Sequence, residues 1–166
     1  KQHIQYLCER GKETYGVLMM FHMASKEKII EEARKMQSYG AKGVILMDSS
    51  GTATPEMVQQ TISGLCDALD FHIGFHAHNN MGMAVANAYF AIQEGATIID
   101  GTLRGFGAGA GICQLEALAA LLEKSNIKTG LNLYRILDAS EQVMPKLMVR
   151  EFGQDPLSIV SGMSGV

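Results

Sequence analysis

Four short apolar runs recur along this chain, Tyr15 to Phe21, Gly43 to Met47, His72 to Phe75 and Ala96 to Ile99, each followed by a segment of helical periodicity. Strands that are continuously apolar need cover on both faces, which parallel strands joined by helical crossovers provide. Between Ser25, an N-cap, and Gly40, a C-terminal stop, Ile29, Ile30, Ala33 and Met36 recur at helical spacing. Glu27, Glu31 and Glu32 favour the N-terminal half of that helix. Thr54-Pro55 supplies a second N-cap and first-turn proline, after which Val58, Ile62, Leu65 and Leu69 follow one face. Met83 to Glu94, closed by Gly95, and Gln114 to Lys124 read the same way. There is also an internal echo: Tyr39-Gly-Ala41 precedes a strand ending at Asp48, and Glu94-Gly-Ala96 precedes one ending at Asp100. Such a repeating step suits a barrel.

The expectation is an α/β fold, a partial (β/α)8 TIM barrel of about four βα units. Residues 1–130 would form the second half of the barrel, and residues 131–166 the start of a C-terminal helical region. A doubly wound open sheet would carry its glycine fingerprint after the first strand, whereas here Gly105-Phe-Gly-Ala-Gly-Ala-Gly111 follows the last. The first residues, Lys1-Gln-His-Ile, lack an initiator Met or a signal peptide, and Ser161 to Val166 shows no helix or strand terminator. The chain therefore reads as cut from something longer at both ends.

Composition narrows the function. The 14 basic and 17 acidic residues are spread without a basic stripe, so neither nucleic acid nor a membrane surface is an expected partner. No apolar run approaches the roughly 20 residues of a membrane span. Cys8, Cys66 and Cys113 form neither a CxxC pair nor an even-numbered framework, which points to a reducing, cytoplasmic setting.

In a parallel α/β fold, chemistry gathers where strands end. The residues there are His22, Asp48-Ser49-Ser50, His76 and His78, and Asp100 with Thr102 and Arg104. Side chains two apart on a strand share a face, so His76 and His78 are able to offer imidazole nitrogens to one ion. Two histidines and a carboxylate form a facial set that leaves positions open for a chelating substrate. Either Asp48 or Asp100 could supply the carboxylate, although strand-end aspartates also cap helices and hold loops. The glycine run could bring backbone N–H groups to an anionic substrate, or simply pack closely. No strand interior or C-terminal strand end carries a lysine, which disfavours imine chemistry and leaves a metal as the electron sink.

Four segments are more specific: Gly16-Val-Leu-Met-Met-Phe-His-Met23, Met47-Asp-Ser-Ser-Gly51, Gly74-Phe-His-Ala-His-Asn-Asn80 and Gly107-Ala-Gly-Ala-Gly-Ile-Cys-Gln-Leu-Glu116. In order and spacing they resemble the metal-dependent 4-hydroxy-2-oxovalerate aldolases over nearly the whole chain. Those enzymes sit among the pyruvate-carboxyltransferase-like barrels, with 3-hydroxy-3-methylglutaryl-CoA lyase and the isopropylmalate and homocitrate synthases. The resemblance implies that His76 and His78 bind Mn2+, or another divalent ion such as Mg2+ or Co2+. It also implies that Ser49 lies beside a bound 2-oxo acid. In that family the third ligand is an aspartate of an Arg-Asp-Gly motif, accompanied by the arginine and a following histidine. None of these is in this sequence, nor is the tyrosine expected just past Val166. Asp48 and Asp100 then become residues that support the ligands from behind or hold loops, and no catalytic residue is assigned within the chain.

Two positions depart from the pattern. Gly111-Ile112 stands where the family usually has Gly-Asn, an asparagine that ligates metal in the lyase branch, and Asn79 stands where aldolases often have another histidine. The implied reaction is cleavage of a 4-hydroxy-2-oxo acid to pyruvate and a short aldehyde. The implied protein partner is an acylating acetaldehyde dehydrogenase, met by a helical region beginning at Asn132 to Met144, with Leu133, Ile136, Leu137 and Val143. Two alternatives stay open: Claisen-type chemistry between an acyl-CoA and a 2-oxo acid, and a catalytically incomplete assembly module.

Overall fold

Capping chemistry starts the crossover helices where the sequence puts them. In a computed structural model describing residues 1–166, Ser25 Oγ accepts the Lys28 N–H (3.3 Å) ahead of α2 (Lys26–Ser38), and Thr54 Oγ1 accepts the Met57 N–H (3.3 Å) ahead of α3 (Pro55–Ala68). These helices, with α4 (Ala84–Gln93), connect β1 (Tyr15–Met19), β2 (Gly43–Asp48), β3 (His72–Ala77) and β4 (Ile98–Asp100). The four strands are parallel and lie side by side in chain order, the arrangement expected of consecutive barrel units. Before them comes α1 (Gln2–Glu9), and after them α5 (Leu115–Lys124), α6 (Leu133–Gln142), α7 (Met144–Leu147) and α8 (Pro156–Ser164).

The register separates two faces of the sheet. Val44 and Leu46 on β2, and Ile73 and Phe75 on β3, point outward and are buried beneath the helices against Val58, Ile62, Leu65, Ala84 and Ala88. The alternate residues line the inner, concave face in rows: Val17, Ile45, Gly74 and Ile98 in one, and Met19, Met47, His76 and Asp100 in the next. That inner face is open in this chain, with Val17 43% and Met19 66% exposed.

Three differences from the sequence reading bear on the site. β1 stops at Met19 because Met20 adopts a left-handed backbone (φ 51°), and a 3-10 turn over Phe21–Met23 then carries Phe21 into the core, edge-on to Phe75. β3 runs past the end of its apolar run to Ala77, so His76 is a strand residue and His78 lies just beyond. α1 was not expected, α8 was not singled out within the helical region expected over residues 131–166, and the supposed lack of a terminator before Val166 is corrected by Gly165, whose left-handed φ of 73° closes α8. The Asp155 N-cap, Pro156 and the reciprocal Ser158 bonds were legible cues for α8.

Candidate metal centre at the strand ends

The two histidines are placed by different forces. His76 sits on β3 with Asp100 as its direct partner on β4, and its Nδ1 lies 3.1 Å from Asp100 Oδ2. His78 is held by a short antiparallel bridge to Ile112, flanked by bonds from Cys113 N–H to Ala77 O and from Asn79 N–H to Gly111 O (both 2.9 Å). Burial lowers the His78 pKa, the neighbouring His76 lowers it further, and a bond to the Ala108 backbone opposes both. A neutral imidazole is the form that ligates a metal.

The ring centroids of His76 and His78 are 5.2 Å apart at 50°. An imidazole nitrogen at its usual metal distance puts the ring centroid roughly 3.2 Å from the ion, so two rings bound at ordinary angles sit roughly 4.5 to 5.3 Å apart. The pair fits one shared ion. With Nδ1 of His76 engaged by Asp100, Nε2 is the nitrogen left to ligate.

A third donor is not assembled: no group of three His, Cys, Asp or Glu side chains is arranged to hold a metal. Asp48 is fully buried, and its carboxylate accepts the N–H groups of Thr52 (3.1 Å) and Ala53 (3.2 and 3.3 Å). It shapes the loop after β2. Burial pushes its pKa upward, opposed by those two N–H bonds and by His22 and His76. Asp100 has its bond to His76 instead.

Ser49 Oγ accepts the Met20 N–H (3.2 Å), tying the end of β2 to the end of β1 and leaving the hydroxyl proton for another acceptor. Behind it, buried Asn80 donates from Nδ2 to Ser50 O and accepts the Ala110 N–H at Oδ1, both at 3.0 Å. Asn79 Oδ1 accepts the N–H of Ala84, the first residue of α4 (3.2 Å). His22 places Nε2 3.1 Å from Gly165 O, while its buried Nδ1 has no partner. Small Gly162 seats α8 against Asn80, Met81 and Gly51, so this helix lies on loops that follow β2 and β3. Sequence reasoning missed α8 as part of this site.

Other expectations change. Arg104 turns away from the histidines: its backbone is left-handed, its guanidinium pairs with Glu141 on α6 (3.0 Å), and its N–H binds Glu116 (2.8 and 3.1 Å). Thr102 donates its hydroxyl to Phe106 O (2.8 Å). Both residues hold the loop. In the glycine run the N–H groups of residues 110 to 113 are already bonded, to Asn80, Ala108, Gly105 and Ala77, which holds the C-terminal part of the loop against Asn80 and the end of β3. The role of Glu116 was also missed: this buried carboxylate also accepts the Ser140 hydroxyl, joining the glycine loop to α6.

Comparison with known proteins places this geometry. The sequence model of the family described as HMGL-like matches residues 1–143. A 4-hydroxy-2-oxovalerate aldolase of Pectobacterium atrosepticum is 51% identical over 165 residues, covering 99% of this chain and 48% of that protein. One from Spirochaeta aurantia is 52% identical over 167 residues, covering 100% of this chain and 49% of that protein. The chain thus spans about half the length of the curated relatives it matches. Among solved structures, Bacillus subtilis HMG-CoA lyase superposes with a TM-score of 0.80 at 23% identity, over 96% of this chain and 57% of the lyase. The carboxyl transferase domain of Rhizobium etli pyruvate carboxylase, solved with pyruvate, gives a TM-score of 0.75 at 19% identity, over 83% of this chain and 24% of that one. These likenesses establish the fold.

Proposed function

Because the chain belongs to the HMGL-like family, we propose that it forms the metal-holding half of an aldolase barrel that splits a 4-hydroxy-2-oxovalerate-type acid into pyruvate and a short aldehyde. The observation that carries this reading is the His76–His78 pair, at shared-ligand spacing on the rim of β3, in a chain about half identical to proteins named as that aldolase.

In this reading His76 and His78 are two ligands of Mn2+, or of Mg2+ or Co2+. The third ligand and the base come from polypeptide outside residues 1–166, in strands that close the barrel over the open inner face. When bound, the ion supplies the positive charge that polarises the 2-oxo group and offsets the charge left on it as the carbon–carbon bond breaks. Ser49, its oxygen already accepting from Met20, donates its hydroxyl proton to the acid and so orients it. Met19 and Met47, in the same row as His76, form an apolar wall that limits water around the reacting carbons. Imine chemistry has no residue here: Lys42 sits just before β2, at the opposite end of the sheet from the histidines. Ile112, buried beside His78, has no donor atom, which argues against a lyase-type ligand set.

The division into a barrel half (1–130) and a helical region (131–166) falls between α5 and α6. We assign to the second part the contact with an acylating acetaldehyde dehydrogenase, on the strength of exposed Leu131, Tyr134, Leu137 and Val149.

The test is a coupled assay of pyruvate release by the full-length protein carrying this chain, stripped with a chelator and reloaded with Mn2+. Metal-dependent pyruvate formation from 4-hydroxy-2-oxovalerate, lost in His76→Ala and His78→Ala, is expected. A product that requires an acyl-CoA, with no aldol cleavage, would overturn the reading in favour of Claisen chemistry.

A further inference from the structure

We propose that Asp100 is a positioning residue that selects the metal-binding nitrogen of His76, an inference that rests on reading His76 and His78 as ligands. Parallel pairing makes His76 and Asp100 direct neighbours on β3 and β4, so both side chains stand on the inner face of the sheet. Their contact, Nδ1 to Oδ2 at 3.1 Å, requires the hydrogen to lie on Nδ1, because an ionised carboxylate only accepts. Nε2 is then the nitrogen carrying the lone pair. The imidazole ring, which turns about two side-chain bonds, is also pinned at one edge.

The fold does not otherwise use this carboxylate. Asp48, at the matching end of β2, is buried and gives its oxygens to two loop N–H groups, so removing it would damage the loop. The Asp100 side chain is 43% exposed, caps no helix and has His76 as its hydrogen-bond partner. Such a carboxylate tunes its neighbour rather than holding the chain together. His76 is thus backed by a charged acceptor. A carboxylate behind an imidazole fixes its tautomer and strengthens it as a donor, and removing such a partner weakens metal binding by roughly 10- to 100-fold.

The experiment uses the full-length protein carrying this chain, with Mn2+ affinity measured by electron paramagnetic resonance on wild type, Asp100→Ala, Asp100→Asn and His76→Ala. The imidazole nitrogen shifts of the metal-free proteins are read by 15N NMR. Asp100→Ala should bind Mn2+ roughly 10- to 100-fold more weakly, and its His76 should lose the uniform Nδ1–H form seen in wild type. Asp100→Asn, whose amide oxygen still accepts from Nδ1, should keep that tautomer and recover part of the affinity. Metal-free melting temperatures of the Asp100 variants should match wild type. If His76→Ala abolishes Mn2+ binding while Asp100→Ala leaves affinity and tautomer unchanged, the positioning role is refuted and the ligand assignment survives. If His76→Ala binds Mn2+ as wild type does, the ligand assignment falls, and the role of Asp100 falls with it.

Discussion

Replacing Gly109 by alanine tests whether the glycine loop is seated by backbone geometry on Asn80. Gly109 has φ +61°, and a Cβ there would lie 2.5 Å from Asn80 Oδ1. An alanine pays roughly 1 to 2 kcal/mol for the left-handed backbone alone. The methyl also has to displace the Asn80 amide, which breaks the bond from the buried Ala110 N–H. A buried donor left unmatched costs about 1 to 3 kcal/mol. The sum is about 2 to 5 kcal/mol, and more if Asn80 also releases Ser50 O. Gly130 provides the control, since it has φ +75° and nothing within 4 Å of its would-be Cβ. Gly130→Ala should therefore show the backbone cost alone, roughly 1 to 2 kcal/mol. Both variants would be made in the full-length protein carrying this chain and compared by urea unfolding. If Gly109→Ala costs no more than Gly130→Ala, the seating of the loop on Asn80 is wrong.

On the proposed reading, which puts one ligand and the base in other parts of the enzyme, residues 1–166 expressed alone should bind Mn2+ weakly and turn over no substrate; appreciable aldolase activity from the isolated segment would contradict that reading. Cys113 is fully buried, and burial pushes its thiol up to about 12. In native protein at pH 8 it stays protonated, so a thiol reagent should label half-buried Cys66 or Cys8 first and reach Cys113 only on unfolding, as peptide mapping would show. Phe75→Ala empties the centre of the core beneath the sheet and should cost about 3 to 5 kcal/mol in urea unfolding; a loss under about 1 kcal/mol would place Phe75 outside the core.

The fold was legible where local chemistry and global packing agree. Ser25, Thr54-Pro55, Gly40 and Gly95 punctuate the crossovers, and strands such as Val44 to Leu46, whose outward residues are fully buried, announce themselves by apolarity. The end of β3 was misread because apolarity reports burial rather than pairing. His76 and Ala77 continue the ladder opposite Met47 and Asp48. α8 escaped because its pattern is inverted: Ser158 and Gly162 face inward, while Leu157, Val160 and Met163 are exposed. No rule about apolar stripes finds a helix that packs with its smallest residues. At the site, the spacing of His76 and His78 was enough to suggest a pair. The direction taken by Arg104 was not readable, because it depends on one left-handed residue that sends the side chain to Glu141.

On the proposed reading, the open inner face and the incomplete candidate metal site are one problem seen twice. Met19, Met47, His76 and Asp100 form a single row across four strands, and β4 leaves the Asp100 end of that row without a neighbour. Covering the apolar row beneath it, Val17 to Ile98, which is exposed at Val17, requires strands that pair with the free edges of β1 and β4. A strand added beside β4 sets its inward residues in the row of His76. A carboxylate carried there would complete a two-histidine, one-carboxylate set without any movement of this half. In the proposed enzyme, closing the barrel and completing the metal site are therefore the same folding event. Mn2+ should then stabilise the closed barrel against separation of its halves, while adding little stability to residues 1–166 alone. Melting both proteins with and without Mn2+ separates the cases: an equal rise in Tm for the isolated segment would mean that this half binds the ion without the other.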